Sequence, residues 1–247
     1  MLLCSYALKL LCLVLLCPSA PAALMPVPKP VGEKSVVYVK ADFPDVRDAS
    51  ESGSDQVLID PTGDPNTAAH SVPGPNGGSA LSFDGLDDRI DFGAALLGDA
   101  VAAGRDFTIA LRVRVESDPG AAAKTFFRRS GQADQPYMKL SVSQGRFFWR
   151  VCWGPGYVDI TSAAAMLDGA WRHVVCRRQG QSLSIWVDGF PQETRTHADY
   201  ARTLFSNTWQ PAAIGQVYQS PASDWPFEMA DFQVWRRALS DGEVAAL

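Results

Sequence analysis

Cysteine is scarce in this chain. There are five in 247 residues, and three of them, Cys4, Cys12 and Cys17, fall near the start. That excludes a disulfide-dense miniature scaffold, and the absence of any C-x-x-C pair excludes the usual dithiol and zinc-ribbon frameworks. No N-x-S/T sequon is present, because Asn66, Asn76 and Asn207 are each followed by the wrong residue at the second position. Nor is there an H-E-x-x-H, a G-x-S-x-G or a P-loop, which removes the commonest signatures of zinc hydrolysis, serine hydrolysis and nucleotide binding. Long apolar runs are missing too. The best, "LLCLVLL" (residues 10–16), is well short of the roughly 20 residues a bilayer span needs. An excess of positive charge is lacking as well: the formal net charge is −5, which argues against nucleic acid or anionic membranes as partners.

The early apolar run reads as part of a signal. Lys9 precedes it, the small-residue segment "PSAPAA" follows, and cleavage after Ala22 is expected. A lipoprotein anchor at Cys17 is the competing reading, but Leu16 stands where such a signal wants a small residue. Export to an extracellular or periplasmic setting follows, with residues 1–22 as signal peptide and 23–34 as a Pro-rich leader. Residues 35–247 form one domain, within the range of a single all-β sandwich. Only Cys152 and Cys176 remain in the mature part.

What the chain does have is alternation. In Phe107, Ile109, Leu111, Val113 and Val115 against Thr108, Ala110, Arg112 and Arg114, apolar and more polar residues trade places at every step. That is the period of a strand with one buried and one wetter face. Similar segments recur: "SVVYVKADF", "SALSFDG", "DRIDFG", "KTFFRRS", "YMKLSVS", "RFFWRVCW", "WRHVVCRR", "SLSIWVDG", "AAIGQVY" and "FEMADFQVWRRAL". The turns "SQGR", "RQGQS", "LDGA" and "VDGF" supply glycine where a hairpin requires positive φ. Helix is scarce: a turn or two is expected in "GAALLGDAVAAG" (residues 93–104), and a short helix closes the chain, where Ser240 and Glu243 in "SDGEVAAL" have capping-box spacing. The fold class is therefore all-β, an antiparallel two-sheet β-sandwich with one short C-terminal helix.

Five segments in order, "ALSFDGLDDRIDFG", "DFTIALRVRV", "DGAWRHVVCRRQGQSLSIWVDG", "AAIG" and "MADFQVWRRALSDGEVAAL", resemble the laminin-G-like, concanavalin A-like jelly-roll domains. The resemblance covers nearly the whole mature chain. It implies a jelly roll, but not a function, because that architecture hosts lectins, glycosidases and adhesion modules alike. It also implies a structural calcium ion, with Asp42 and Asp231 in the comparable places.

The candidate chemistry is judged against strand geometry. His173, Cys176 and Asp188 lie within a short stretch, but in a strand His173 and Cys176 point to opposite faces with Cα atoms about 10 Å apart. A Cys–His nucleophilic pair needs hydrogen-bond contact, so these residues read as two strands and a turn. Cys152 and Cys176 both share faces with alternating arginines, which would let them form a cross-strand disulfide if their strands are neighbours. The pairs Arg128–Arg129, Arg177–Arg178 and Arg236–Arg237 read as solvated strand edges. The family's glycosidases carry a Glu-x-Asp-x-x-Glu strand. Here Glu116 and Asp118 lead to Ala121 where the second Glu should stand, and Pro119 and Gly120 end the strand. Most of the seven tryptophans sit mid-strand as core, but Trp153 and Tyr157 flank "GPG" in a loop where a ring could stack on a sugar. The expected function is a non-catalytic binding or adhesion module for a glycan or an extracellular protein. A module without a small-molecule site and a glycoside hydrolase are the alternatives.

Overall fold

The computed structural model describes residues 37–40, 47–48, 70–86, 88–91, 105–129, 137–201, 212–215 and 225–247. Fifteen strands and one α-helix lie among them. The strands are β1 (Val37–Lys40), β2 (Arg47–Asp48), β3 (His70–Pro73), β4 (Ser79–Phe83), β5 (Arg89–Asp91), β6 (Phe107–Arg114), β7 (Lys124–Arg129) and β8 (Tyr137–Ser143). They continue with β9 (Arg146–Cys152), β10 (Tyr157–Thr161), β11 (Trp171–Gln179), β12 (Ser182–Val187), β13 (Phe190–Thr196), β14 (Ala212–Gly215) and β15 (Phe227–Trp235). Helix α1 spans Asp241–Ala246.

All pairings are antiparallel and fall into two sheets. Sheet A runs β13-β12-β11-β6-β15-β1-β2, with β4 also on β15 and β3 on β4. Sheet B runs β10-β9-β8-β7-β14-β5. Strand β15 serves two partners along one edge because it is bulged. Its register against β6 shifts between Ala230 and Gln233, and Asp231 there takes φ 53°. Before the bulge β15 pairs with β4, and after it with β1. Such a bulge bends the strand and raises its local twist.

The sheets pack face to face through the apolar residues that the alternation selects. Leu111 and Val113 of β6, Val174 of β11, Leu140 of β8 and Trp149 and Val151 of β9 all join one buried cluster. Rings cross the interface in pairs: Phe107 meets Trp149 edge-on at 5.9 Å, and Phe127 meets Phe232 at 5.5 Å. A second, smaller cluster lies on the outward face of sheet A, where Ala110, Val175, Trp186 and Trp235 are covered by Leu239 and Val244. Helix α1 is held there by polar contacts. Thr108 Oγ1 accepts from Leu239 N–H at 3.0 Å and donates to the Arg237 carbonyl. Arg177 donates to the Leu239 carbonyl and to Asp241. Ser240 and Glu243 close the capping box that their spacing predicts. The Glu243 carboxyl is pulled down to about 2 by its bonds to Arg237 and then by the Ser240 backbone N–H and hydroxyl.

Two turns have the left-handed backbone their sequences call for. Gln144 and Gly145 take φ 53° and 71° between β8 and β9, and Asp188 and Gly189 take 52° and 79° between β12 and β13. Those are the signs of a type I′ hairpin, whose twist matches the strands it joins. Four strands lie outside the segments picked out by alternation, the shortest being the two-residue β2. β3 is only "HSVP", β13 ("FPQETRT") is polar and carries a proline at a sheet edge, and β10 ("YVDIT") follows a Gly-Pro-Gly turn that masks its short pattern.

Candidate functional site

Alternation on β8, β9 and β10 sends Leu140, Trp149 and Ile160 into the core and Lys139, Arg150 and Asp159 to the outward face of sheet B. The register sets these residues side by side: Arg128 of β7 is opposite Lys139, Lys139 opposite Arg150, and Arg150 opposite Asp159. One step along, Tyr137, Cys152 and Tyr157 form the next outward row, and Ser141, Phe148 and Thr161 the row on the other side. The result is a lattice in which each cation leans over a ring. Arg128 lies 5.4 Å from the Tyr137 centroid, Lys139 5.5 Å from Phe148, and Arg150 4.3 Å from Tyr157. Beside the lattice a groove of about 250 Å³ is lined by Ser143, Arg146, Phe148, Arg150, Asp159 and Thr161.

The electrostatics of the face are uneven. Arg150 makes two bonds of 2.7 Å to the two oxygens of Asp159, and this pairing raises its pKa. Lys139 is pushed below the usual lysine range, first by partial burial and then by the positive charges of Arg150 and Arg128. Burial likewise lowers Arg128. At the rim toward sheet A, Glu193 of β13 reaches across to β10 and accepts from the Thr161 N–H at 2.6 Å and its hydroxyl at 3.1 Å, tying the two sheet edges together.

The residues singled out in the sequence land in different places. Tyr157 is not in a loop but opens β10, and it is 60% exposed with the Arg150 guanidinium against its ring. Trp153 is half-buried against the core cluster, 5.6 Å from Tyr200, with Gly156 beneath it. A Cβ at Gly156 would come within 2.8 Å of the Trp153 ring, so this glycine is what lets the loop lie flat on the indole. Trp153 and Tyr157 therefore do not form a paired platform.

The cross-strand disulfide is a correction. Cys152 lies on β9 in sheet B, flanked by β8 and β10, whereas Cys176 lies on β11 in sheet A, flanked by β6 and β12. Both thiols are free and buried. The strands are not neighbours, so the shared arginine pattern brought nothing together. The solvated-edge reading of the arginine pairs needs the same repair, because alternation turns one member of two pairs inward. Arg129 is 4% exposed, and Arg178 is wholly buried with its guanidinium 5.8 Å from the Phe107 ring.

His173 and Cys176 point to opposite sides of β11, as strand geometry requires. His173 stands opposite Arg112 on the outward side, while Cys176 is in the core cluster opposite Ile109. Burial, and then Arg112, lowers the imidazole to about 4, and burial raises the Cys176 thiol. Asp188 accepts the His173 backbone N–H at 2.8 Å and an Arg172 bond at 3.0 Å, a turn-holding role. Glu116 and Asp118 both follow the end of β6. Glu116 pairs with Arg114 at 3.3 Å, and Asp118 closes a turn by accepting the Gly120 N–H. Asp231 carries its carboxylate 3.4 Å from Arg112 Nε, in an ion pair with that guanidinium. Asp42 lies outside the described residues. Among the described residues no group of three or more His, Cys, Asp or Glu side chains is placed to hold a metal ion.

The sequence marks none of Lys139, Phe148 and Asp159 as site residues, and it presents Arg128 only as part of a solvated strand edge. The signal was present in the polar half of "YMKLSVS" and "RFFWRVC", but it becomes a site only once β7, β8, β9 and β10 are known to be consecutive neighbours.

Comparison with known proteins agrees with this fold. Among solved structures, the binding domain of Paraclostridial Mosquitocidal Protein 1 superposes with a TM-score of 0.66 at 15% identity, covering 86% of this chain and 51% of that one. The binding domain of botulinum neurotoxin DC in complex with rat synaptotagmin II gives 0.61 at 12% identity, covering 85% and 50%. The same toxin's binding domain in complex with SialylT gives 0.62 at 11%, also covering 85% and 50%. The chain thus spans about half the length of the structures it matches, and the likeness is one of fold. No curated protein matches the sequence. Among the described residues no helix is long and apolar enough to cross a membrane. The family model described as the concanavalin A-like lectin/glucanases superfamily, of laminin-G type, matches residues 84–245, and the chain belongs to that family.

Proposed function

We propose that this chain is an exported, non-catalytic binding module that takes a glycan on the outward face of sheet B. The observation that carries the reading is the open lattice itself: the exposed Tyr157 ring, backed by Arg150, stands beside a groove lined by hydroxyls and charged groups. An aromatic face suits the apolar side of a sugar ring, and a few fixed polar groups set its orientation. Glu116 and Asp118, the carboxylates nearest to the glycosidase pattern, are spent on an ion pair and a turn, which weighs against glycoside hydrolysis. The structural neighbours are binding domains, one in complex with a protein and another with SialylT, which supports binding as the general role. Export rests on the signal-peptide pattern of residues 1–22.

A glycan array run beside a generic glycosidase screen tests this reading. Binding without turnover, lost in Tyr157→Ala while the fold is kept, is the expected result. Turnover would favour the hydrolase alternative, and silence in both assays a protein-interaction module.

A further inference from the structure

We infer that the sugar recognised on sheet B is an anionic one, a chain bearing sulfate or carboxylate groups that sit along the row Arg128–Lys139–Arg150. The inference rests on the glycan reading above and adds the ligand's charge. Like charges directly opposite each other across strands are destabilising, yet the register puts three cations in consecutive strands. The carboxylate next to them on β10, Asp159, gives both its oxygens to Arg150. Among the described residues neither Arg128 nor Lys139 has a carboxylate partner. Each has a ring, and Arg128 Nε is buried with no hydrogen-bond partner. Arg146, at the groove beside them, spends its bond on the Ser162 carbonyl at 3.2 Å and brings a fourth positive charge. A ligand that carries its own negative charge would supply the missing counter-charge.

The spacing favours a chain over a small free anion. Three consecutive strands set the outer cations of the row about 10 Å apart, from two inter-strand steps of ~4.8 Å. A single sulfate ion cannot reach both ends, whereas anionic groups on neighbouring sugars can. Beside the cations the exposed Tyr157 ring offers flat apolar surface to a sugar body. The chain as a whole is acidic, at −5, so general attraction to polyanions is not expected and any binding must be local to this face.

The test uses the full chain and isothermal titration with a heparin-derived octasaccharide, its chemically desulfated counterpart, inorganic sulfate, and vesicles containing phosphatidylserine. The octasaccharide is expected to bind at least tenfold more tightly than the desulfated form, with affinity falling as salt rises and inorganic sulfate competing only weakly. Lys139→Gln should lower that affinity about tenfold, and Lys139→Arg should restore it. Equal binding of both octasaccharides, unchanged by Lys139→Gln, overturns the charge inference and leaves the glycan reading standing. Failure of every sugar, neutral or charged, on the array and in titration removes both. Binding of the vesicles in preference to the octasaccharide overturns the inference in favour of a lipid surface. Thermal unfolding of each variant, matched to wild type, guards against a folding defect.

Discussion

On the outward face of sheet A, Arg112, Arg114 and Arg177 each meet a carboxylate, at Asp231, Glu228 and Asp241. Helix α1 then covers the apolar part of that face. On the outward face of sheet B, Arg128 and Lys139 meet rings instead, and Asp159 alone answers Arg150. Both faces come from the same alternation of arginine with aromatic and apolar residues. One has its charges balanced and its apolar surface sealed from within the chain. The other keeps positive charge and an open groove. A fold gains more stability from the first arrangement than from the second, so the second is where binding is expected. Perturbing sheet A should therefore move stability, and perturbing sheet B should move ligand affinity.

The largest effect is expected on the sealed face. Trp235 is 1% exposed and packs with Trp186, Val175 and Val244 beneath α1. Trp235→Ala should cost about 3–5 kcal/mol, from lost burial plus the cavity left behind. Chemical denaturation reads this as a lower midpoint at unchanged slope. A loss below about 1 kcal/mol would mean that the helix-covered cluster adds little, and the contrast between faces would weaken.

Next comes a pH effect that belongs to sheet A. Burial, and then the Arg112 charge, hold the folded His173 imidazole down at about 4, below the ordinary histidine value of 6.5. As pH falls from 6.5 toward 4 the unfolded chain takes up a proton that the folded chain refuses, so stability drops across that window and levels off below it. The full drop is on the order of 3 kcal/mol, at 1.36 kcal/mol per pH unit. Glu243 and Glu193 have lowered carboxyl pKa values, so what they contribute is lost at lower pH, as it falls through their folded values. Urea unfolding at pH 7 and pH 4.5 should show a steeper fall for wild type than for His173→Gln. Parallel falls would show that this imidazole does not sense the folded environment.

The same comparison explains what could be read from the sequence. Strand identity was legible wherever a segment is long and alternating, as in β6, β9 and β11. It failed at β10 and β13, which are short or polar edge strands whose pattern is too brief to stand out. Facing was legible as well: His173 and Cys176 fall on opposite sides as the period of two demands. Adjacency was not. Which strand lies beside which is decided by long-range pairing, and a single sequence carries no local mark of it. The Cys152–Cys176 bond failed for that reason, and the row Arg128–Lys139–Arg150 went unnoticed for the same one. Tyr157 was reached through its loop chemistry, although its surroundings come from β9.

The smallest stability effect should come from sheet B, and it carries the most information about it. The Arg150–Asp159 pair is about a third exposed at its carboxylate, so Asp159→Asn should cost about 0.2–1 kcal/mol. The same change removes the carboxylate that Arg150 holds and makes the row Arg128–Lys139–Arg150 more positive. Affinity for the sulfated octasaccharide should then rise severalfold, with a steeper dependence on salt. On sheet A, Glu228→Gln removes a carboxylate that is only 15% exposed and bonded to Arg114 at 2.6 Å. It should cost more stability and leave that affinity unchanged. The pair of variants thus inverts the two readouts. If Asp159→Asn weakens the octasaccharide instead, Asp159 touches the sugar directly, and the orientation of the ligand along the row must run through the carboxylate rather than past it.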